Sequence, residues 1–395
     1  MLAFSGFNGF GQFVFSVDTS ANQTTELLAA VAWSYAAFAT GNKLWLKGFL
    51  TTPNGSLTVT TAAPVKQLAA CDKFCLVLLE SGQLFKMVPK SEVTLQEFKF
   101  AHMDHEDSSL LPMKRGIFGE ARSCPKIFKL LHIACGENIA CAVSSTNAVY
   151  NLPSKIYQLA KHFRVQQLVC GFEHALLLSS NGDVYAWGNG LRGQLGQDVI
   201  AMKQHPTLID ALAGVKITNI SAGGWHSAAV SAFGDLYTWG FNPNGQLGLR
   251  VFKDCNGLKN PAVYPLPQPI DMPKCCSQRK IKESEAEAHE LLDDCVALKV
   301  FTGARHTVVQ MSCGQMFACG WNAHGQLGLD SKTESHDEFE IITLDAENIS
   351  ENNSSVDIIC GAWSLIYNTY LCIFLHKGLK FLKFFGSKRW FKRDF

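Results

Sequence analysis

An excess of either charge is missing from this 395-residue sequence: 35 Lys and Arg stand against 34 Asp and Glu, for a net charge of +1. That balance excludes a chain-wide field that would steer the protein to nucleic acid or a membrane surface, and leaves only local patches. Charged residues are scarce at 17%, whereas hydrophobic residues reach 47%. Such a composition excludes extended disorder and supplies a large core. No apolar run reaches the roughly 18 residues of a membrane-spanning helix, the nearest being Leu365 to Leu375. Met1 to Phe15 is aromatic and Gly-rich but lacks the basic start and small-residue cleavage site of a secretory leader.

Chemical signatures are missing as well. The 14 cysteines show no CxxC pair and no regular framework spacing, so they are expected as small buried hydrophobes in a reducing compartment, with no metal site. There is no GxxxxGKS phosphate loop, no GxSxG elbow and no HExxH pair. The chain is therefore expected to be no enzyme and to need no cofactor. His102-Met103-Asp104 spells the HxD of an iron site, but it sits in a polar insertion without the rigid strands and second histidine that such a site requires.

What the sequence does contain is one unit written three times. CGFEHALLLSSNGDVYAWGNGLRGQLG (170–196), AGGWHSAAVSAFGDLYTWGFNPNGQLG (222–248) and TGARHTVVQMSCGQMFACGWNAHGQLG (302–328) align without gaps. Each unit decodes as an apolar strand, a tight turn such as Asn181-Gly182, a second strand, and a GQLG turn whose glycines permit angles closed to other residues. Weaker first halves begin at Val31, Ala70, Ala134 and Cys360, giving seven copies anchored on Ala32, Asp72, Gly136, Gly171, Gly223, Gly303 and Gly361. Their spacing suits four-stranded blades with variable loops.

The segment Phe4 to Phe13 reads as a second half with no first half, and the copy at Cys360 as a first half with no second. Joining the two closes a ring and removes exposed sheet edges. The expected fold is all-β, a seven-bladed β-propeller over residues 1–375, with insertions at about 101–125 and 249–300. Residues 376–395 form an atypical tail of Lys, Arg, Phe and Trp, a composition suited to nucleic acid or anionic lipid.

The repeat positions are Gly171, His174, Trp187, Gly188, Gly193 and Gly196 in the first strong copy. They are Gly223, His226, Trp239, Gly240, Gly245 and Gly248 in the second, and Gly303, His306, Gly325 and Gly328 in the third. The three histidines fall far apart around a ring, so they are expected to serve structure; Tyr35, Cys75, Ile139 and Ser364 replace them elsewhere. Trp187, Trp239 and Trp321 are expected in the core. Within 249–300 a Pro-rich stretch runs into a mixed-charge, helix-favouring one, and its Lys280, Lys282, Glu283, Glu285, Glu287, Asp293 and Asp294 are the candidate partner-docking residues.

These motifs, GxxH, an apolar strand, WG and GQLG, resemble the regulator of chromosome condensation repeat family. GFxGFGQ near the start, WSYxAF at Trp33 to Phe38, EHALLL at Glu173 to Leu178 and AGGWHS at Ala222 to Ser227 resemble one small member of it. After Cys360 to Trp363 the chain departs from that pattern.

That resemblance implies a monomeric propeller adaptor whose partner is a JmjC-domain oxygenase, with histones or chromatin as further partners and no membrane or small-molecule substrate. It implies action in histone methylation, transcriptional repression and mitotic chromosome segregation, in the nucleus and on chromosomes with a cytoplasmic pool. The alternatives are guanine-nucleotide exchange on a small GTPase, or regulation of cytoskeletal or ubiquitin machinery.

Overall fold

The structure, a computed structural model, describes residues 2–6, 27–48, 57–88, 95–98, 100, 128–251, 262–274, 295–329, 333–342, 356–360 and 364–369. Apart from one short 3-10 turn, Asp210–Leu212, the regular structure among them is all β.

Six sheets have four antiparallel strands each, hydrogen-bonded in sequence order. Blade 1 runs from Leu28–Val31 to Leu57–Thr60, blade 2 from Val65–Cys71 to Leu95–Glu97, and blade 3 from Leu130–Cys135 to Ser154–Gln158. Blade 4 runs from Val165–Cys170 to Lys203–Leu208, blade 5 from Ile217–Ala222 to Val263–Ile270, and blade 6 from Ala297–Thr302 to Ser335–Ile341.

The seventh sheet takes Val356–Cys360, then Ser364–Thr369, and on its other side the N-terminal strand Leu2–Gly6. In that pairing Gly6 lies opposite Ser364 and Leu2 opposite Asn368. The first strand of each sheet lies against the first strand of the next, and Val356–Cys360 lies against both Ala297–Thr302 and Leu28–Val31. The sheets thus form a closed propeller, and the expected junction of the two chain ends is made by Leu2–Gly6. Phe7 to Phe13 lie outside the described residues.

The core fills the slots between blades. In His174–Ser179, a strand buried throughout, Ala175 and Leu177 pack toward blade 3 while Leu176 and Leu178 pack toward blade 5. Blade 5 repeats this, with Ala229 on one side and Ala228 and Val230 on the other. Because both faces are covered, these strands read as continuous apolar runs instead of alternating ones.

One reading of the sequence is corrected. The Pro-rich part of 249–300 is not all loop: Val263–Ile270 is the outer strand of blade 5, paired with Leu236–Phe241. Pro265, Pro267 and Pro269 alternate along it, so their missing N–H groups fall on the one strand edge that has no ladder partner. The candidate docking residues from Lys280 to Asp294, the insertion 101–125 with His102 and Asp104, and the tail 376–395 lie outside the described residues.

Candidate functional site: the front face of the ring

Antiparallel connection sorts the loops onto two faces. The turns joining first to second strands, and the GQLG loops following third strands, share one face, here called the front. The tight Asn181-Gly182 type hairpins lie at the back.

On the front face the turns of successive blades are hydrogen-bonded to one another. Trp33 N donates to Asp72 Oδ1 at 2.8 Å, and Asp72 N to Glu137 Oε1 at 3.2 Å. Lys73 Nζ reaches Glu137 O and Asn138 Oδ1 at 2.8 and 2.7 Å. Asn138 N donates to Phe172 O, Phe172 N to Gly224 O, and Gly224 N to Gly303 O and Ala304 O. Burial raises the carboxyl pKa values of both Asp72 and Glu137.

Beneath this belt lie the repeat histidines. His174 Nε2 meets Ser227 Oγ of the next blade at 2.8 Å, and Ser227 Oγ donates back to Gln194 O of blade 4 at 2.8 Å. His226 Nε2 meets Thr307 Oγ1 at 3.0 Å, which donates to Gln246 O at 2.6 Å. Each hydroxyl therefore clamps two adjacent blades.

Gly171, Gly223 and Gly303 lie directly under the rings of His174, His226 and His306, where an added Cβ would collide with the imidazole. The GQLG glycines adopt positive φ, +74° at Gly193 and +68° at Gly196, and the later copies do the same. Burial pushes His174 and His226 down to about 3 and His306 to about 4, so all three are neutral and enclosed.

The tryptophans differ from one another. Trp187 and Trp239 are fully buried, their indole N–H groups donating to Asn151 Oδ1 and Gln194 O, both at 3.0 Å. In blade 6 the equivalent place belongs to Cys319, whose Sγ lies 3.6 Å from Gln246 O. Trp321 comes two residues later, only half-buried, with Arg305 over its ring at 5.8 Å and His324 against its edge. It is part of the front surface.

Two features there were not singled out from the sequence. Arg192 lies over Trp225 at 4.0 Å and Phe241 at 5.1 Å, and Trp225 meets Phe172 edge-on at 5.2 Å. Beside them, the blade 4 loop exposes Leu191 (60%), Val199 (66%), Ile200 (47%) and Met202 (66%). The signal was the stretch QDVIAM after GQLG, where the other strong copies continue with LRVFKD or LDSKTE.

The first strands end in a ring around the channel, at Val31, Cys71, Cys135, Cys170, Ala222, Thr302 and Cys360; by ladder register Cys71, opposite Phe74, stands one residue beyond the others, and Ala70, opposite Cys75, holds their place. Three cysteines that look scattered in the sequence, Cys135, Cys170 and Cys360, thus share one place in the repeat. Among the described residues, no group of three or more His, Cys, Asp and Glu is placed to hold a metal ion. The front face offers apolar and cationic surface on a braced ring, an arrangement suited to binding a protein.

Comparison with known proteins agrees with this architecture. Models of the regulator of chromosome condensation (RCC1) repeat match residues 181–230 and 234–283, and a second model of it matches 165–194 and 217–246. The chain is 34% identical over 224 residues to RCC1 domain-containing protein 1 of Mus musculus, covering 54% of this chain. It spans 56% of that relative's length.

Human WBSCR16 superposes with a TM-score of 0.65 at 15% identity, over 93% of this chain and 99% of that one. Prp20p from Saccharomyces cerevisiae gives 0.61 at 14%, over 93% and 91%. These two likenesses speak for the fold alone. Repeat matches, a ring of antiparallel sheets and the GxxH and GQLG geometry together show a β-propeller that carries RCC1 repeats over residues 165–283.

Proposed function

We propose that this propeller is a non-catalytic adaptor that docks a protein partner on its front face. The observation that carries this reading is the blade 4 loop, which holds Leu191, Val199, Ile200 and Met202 in solvent on a scaffold braced by hydrogen bonds between blades. Large exposed apolar groups rimmed by polar ones mark interaction surfaces.

In the finer reading the partner is a JmjC-domain oxygenase and the setting is chromatin. The ring then acts in histone methylation, transcriptional repression and mitotic chromosome segregation, from the nucleus and chromosomes. Support comes from the resemblance of the opening segment, WSYxAF and AGGWHS to a small member of the repeat family, and from the likeness to RCC1 domain-containing protein 1. Prp20p, of the same fold, is described with binding properties to Gsp1p and histones.

Affinity purification from nuclear extract, with proteins identified by mass spectrometry, tests both levels. The intact chain is expected to retain a JmjC-domain oxygenase, and a Val199→Asp, Met202→Asp variant to lose it. Absence of any such oxygenase with the intact chain overturns the finer reading. Equal recovery by the variant overturns the docking place.

A further inference from the structure

Among the described residues, Arg192 is the one arginine that is half-buried. Arg164 is exposed and donates to the carbonyls of Lys161 and Phe163, Arg250 is exposed and paired with Glu338, and Arg305 stands in solvent. The Arg192 guanidinium instead lies against aromatic rings, its carbon 4.0 Å from the centre of Trp225 and 5.1 Å from that of Phe241. Its Nη1 is buried there without a hydrogen-bond partner among the described residues. The carboxylate of Glu173 accepts from Asn138 and Asn189 at 3.2 and 2.8 Å. Asp198, exposed in the same loop, forms no ion pair with Arg192 among the described residues.

The loop that carries this cation is held still. Leu191 N donates to Asn189 Oδ1 and Arg192 N to Gln194 Oε1, both at 2.9 Å. Gln194 O accepts from Ser227 Oγ and Trp239 Nε1 of blade 5 at 2.8 and 3.0 Å. An added Cβ on Gly190 would collide with the Ala201 carbonyl, so the stretch Val199 to Met202 folds back onto the base of the same loop. The exposed Leu191, Val199, Ile200 and Met202 thus accompany a braced cation that has aromatic contacts and no acid. Stacking attracts a guanidinium to a ring face but leaves its N–H donors unused, and a carboxylate is the group that can take two of them at once.

We propose that the occupant of this surface is a short acidic and apolar segment of a partner protein. A carboxylate of the segment takes the guanidinium of Arg192, and apolar side chains beside it cover Leu191, Val199, Ile200 and Met202. This rests on the front-face docking reading and adds the chemistry of the partner. A wholly apolar segment would bury Arg192 without an acceptor, and a basic one would set cation against cation. Arg192 and Trp225 are also the residue types in which binding energy concentrates when they are held in place before the partner arrives.

The test pans a phage-displayed library of random dodecapeptides on the full chain and titrates the selected peptides by fluorescence polarisation. Enriched sequences are expected to carry Asp or Glu within a few residues of apolar ones. Replacing that acid by its amide is expected to weaken binding to the intact chain about tenfold or more. Arg192→Gln is expected to weaken the acidic peptide to a similar degree and to leave the amide peptide nearly unchanged. Enriched sequences without an acid, or equal loss of both peptides on Arg192→Gln, overturn the carboxylate contact while the docking place stands. Undiminished binding of the acidic peptide to a Val199→Ser, Met202→Ser chain overturns the docking place itself, and a library that yields no binder overturns both.

Discussion

Ser227 and Thr307 each have one proton to donate. Each gives it to a Gln carbonyl, so each must accept its other hydrogen bond, which fixes His174 and His226 as the tautomer protonated on Nε2. Nδ1 is then a bare acceptor over glycine, and neither Nδ1 has a hydrogen-bond partner among the described residues. Ser227→Ala leaves the His174 N–H and the Gln194 carbonyl without their bridge. Leaving a buried polar group unsatisfied costs about 1–3 kcal/mol, so the urea midpoint is expected to fall at pH 7, and an unchanged midpoint would refute the clamp. Protonation is opposed for the same reason. The folded values near 3, 3 and 4 lie below the unfolded value of about 6.5, so the unfolded chain takes up these protons first. Stability is therefore complete above about pH 6.5 and falls as the pH drops toward 4, by up to roughly 1.4 kcal/mol per pH unit for each histidine. His174→Gln is expected to remove one proton from that slope in urea titrations between pH 6 and 4.5, and an unaltered slope would contradict the assignment.

At the scale of the strand, a single blade has two faces to cover and its neighbours cover both. Leu177 fills the slot between blades 3 and 4 beside Trp187, while Phe233, on a back hairpin, is 82% exposed. Leu177→Ala is expected to lower stability by about 2–5 kcal/mol, and Phe233→Ala by under about 0.5 kcal/mol. Similar losses for the two in denaturant titrations would show that the slots are not where the core lies. These second strands were legible in the sequence because their apolar runs, NG-type turns and GQLG glycines act locally. The outer strand Val263–Ile270 was not, because three prolines argue against a strand unless its free edge is already known. The cysteine ring was hidden differently: its members are separated by loops of unequal length, and only the register of the first strands aligns Cys135 with Cys170 and Cys360. Surface is the least legible part. Leu191 to Met202 reads as loop, and only the placement of its apolar side chains in solvent distinguishes it from core.

Closing the whole ring joins residues more than 350 positions apart, since Leu2–Gly6 pairs with Ser364–Thr369. Every other blade is made from consecutive strands, so local contacts suffice to form it. The closing sheet needs both ends of the folded chain, and it lies between blades 6 and 1. His306 faces this boundary. In the two preceding blades the hydroxyl after the next blade's histidine position accepts from the histidine, but here that position is Leu365, and neither ring nitrogen of His306 has a partner among the described residues. Among the described residues, the boundary next to His306 therefore lacks the histidine–hydroxyl clamp of the two preceding boundaries. Removing residues 1–6 exposes the edge of Ser364–Thr369 and takes away the strand that ties it to the ring. Thermal unfolding of that truncated chain is expected several degrees lower, with faster amide exchange in blades 6 and 1 than in blades 3 and 4. A synthetic peptide carrying the missing strand is expected to restore part of the loss in proportion to its occupancy. Equal melting of the full and truncated chains, or uniform exchange around the ring, would show that the sheets hold together without the strand at the seam.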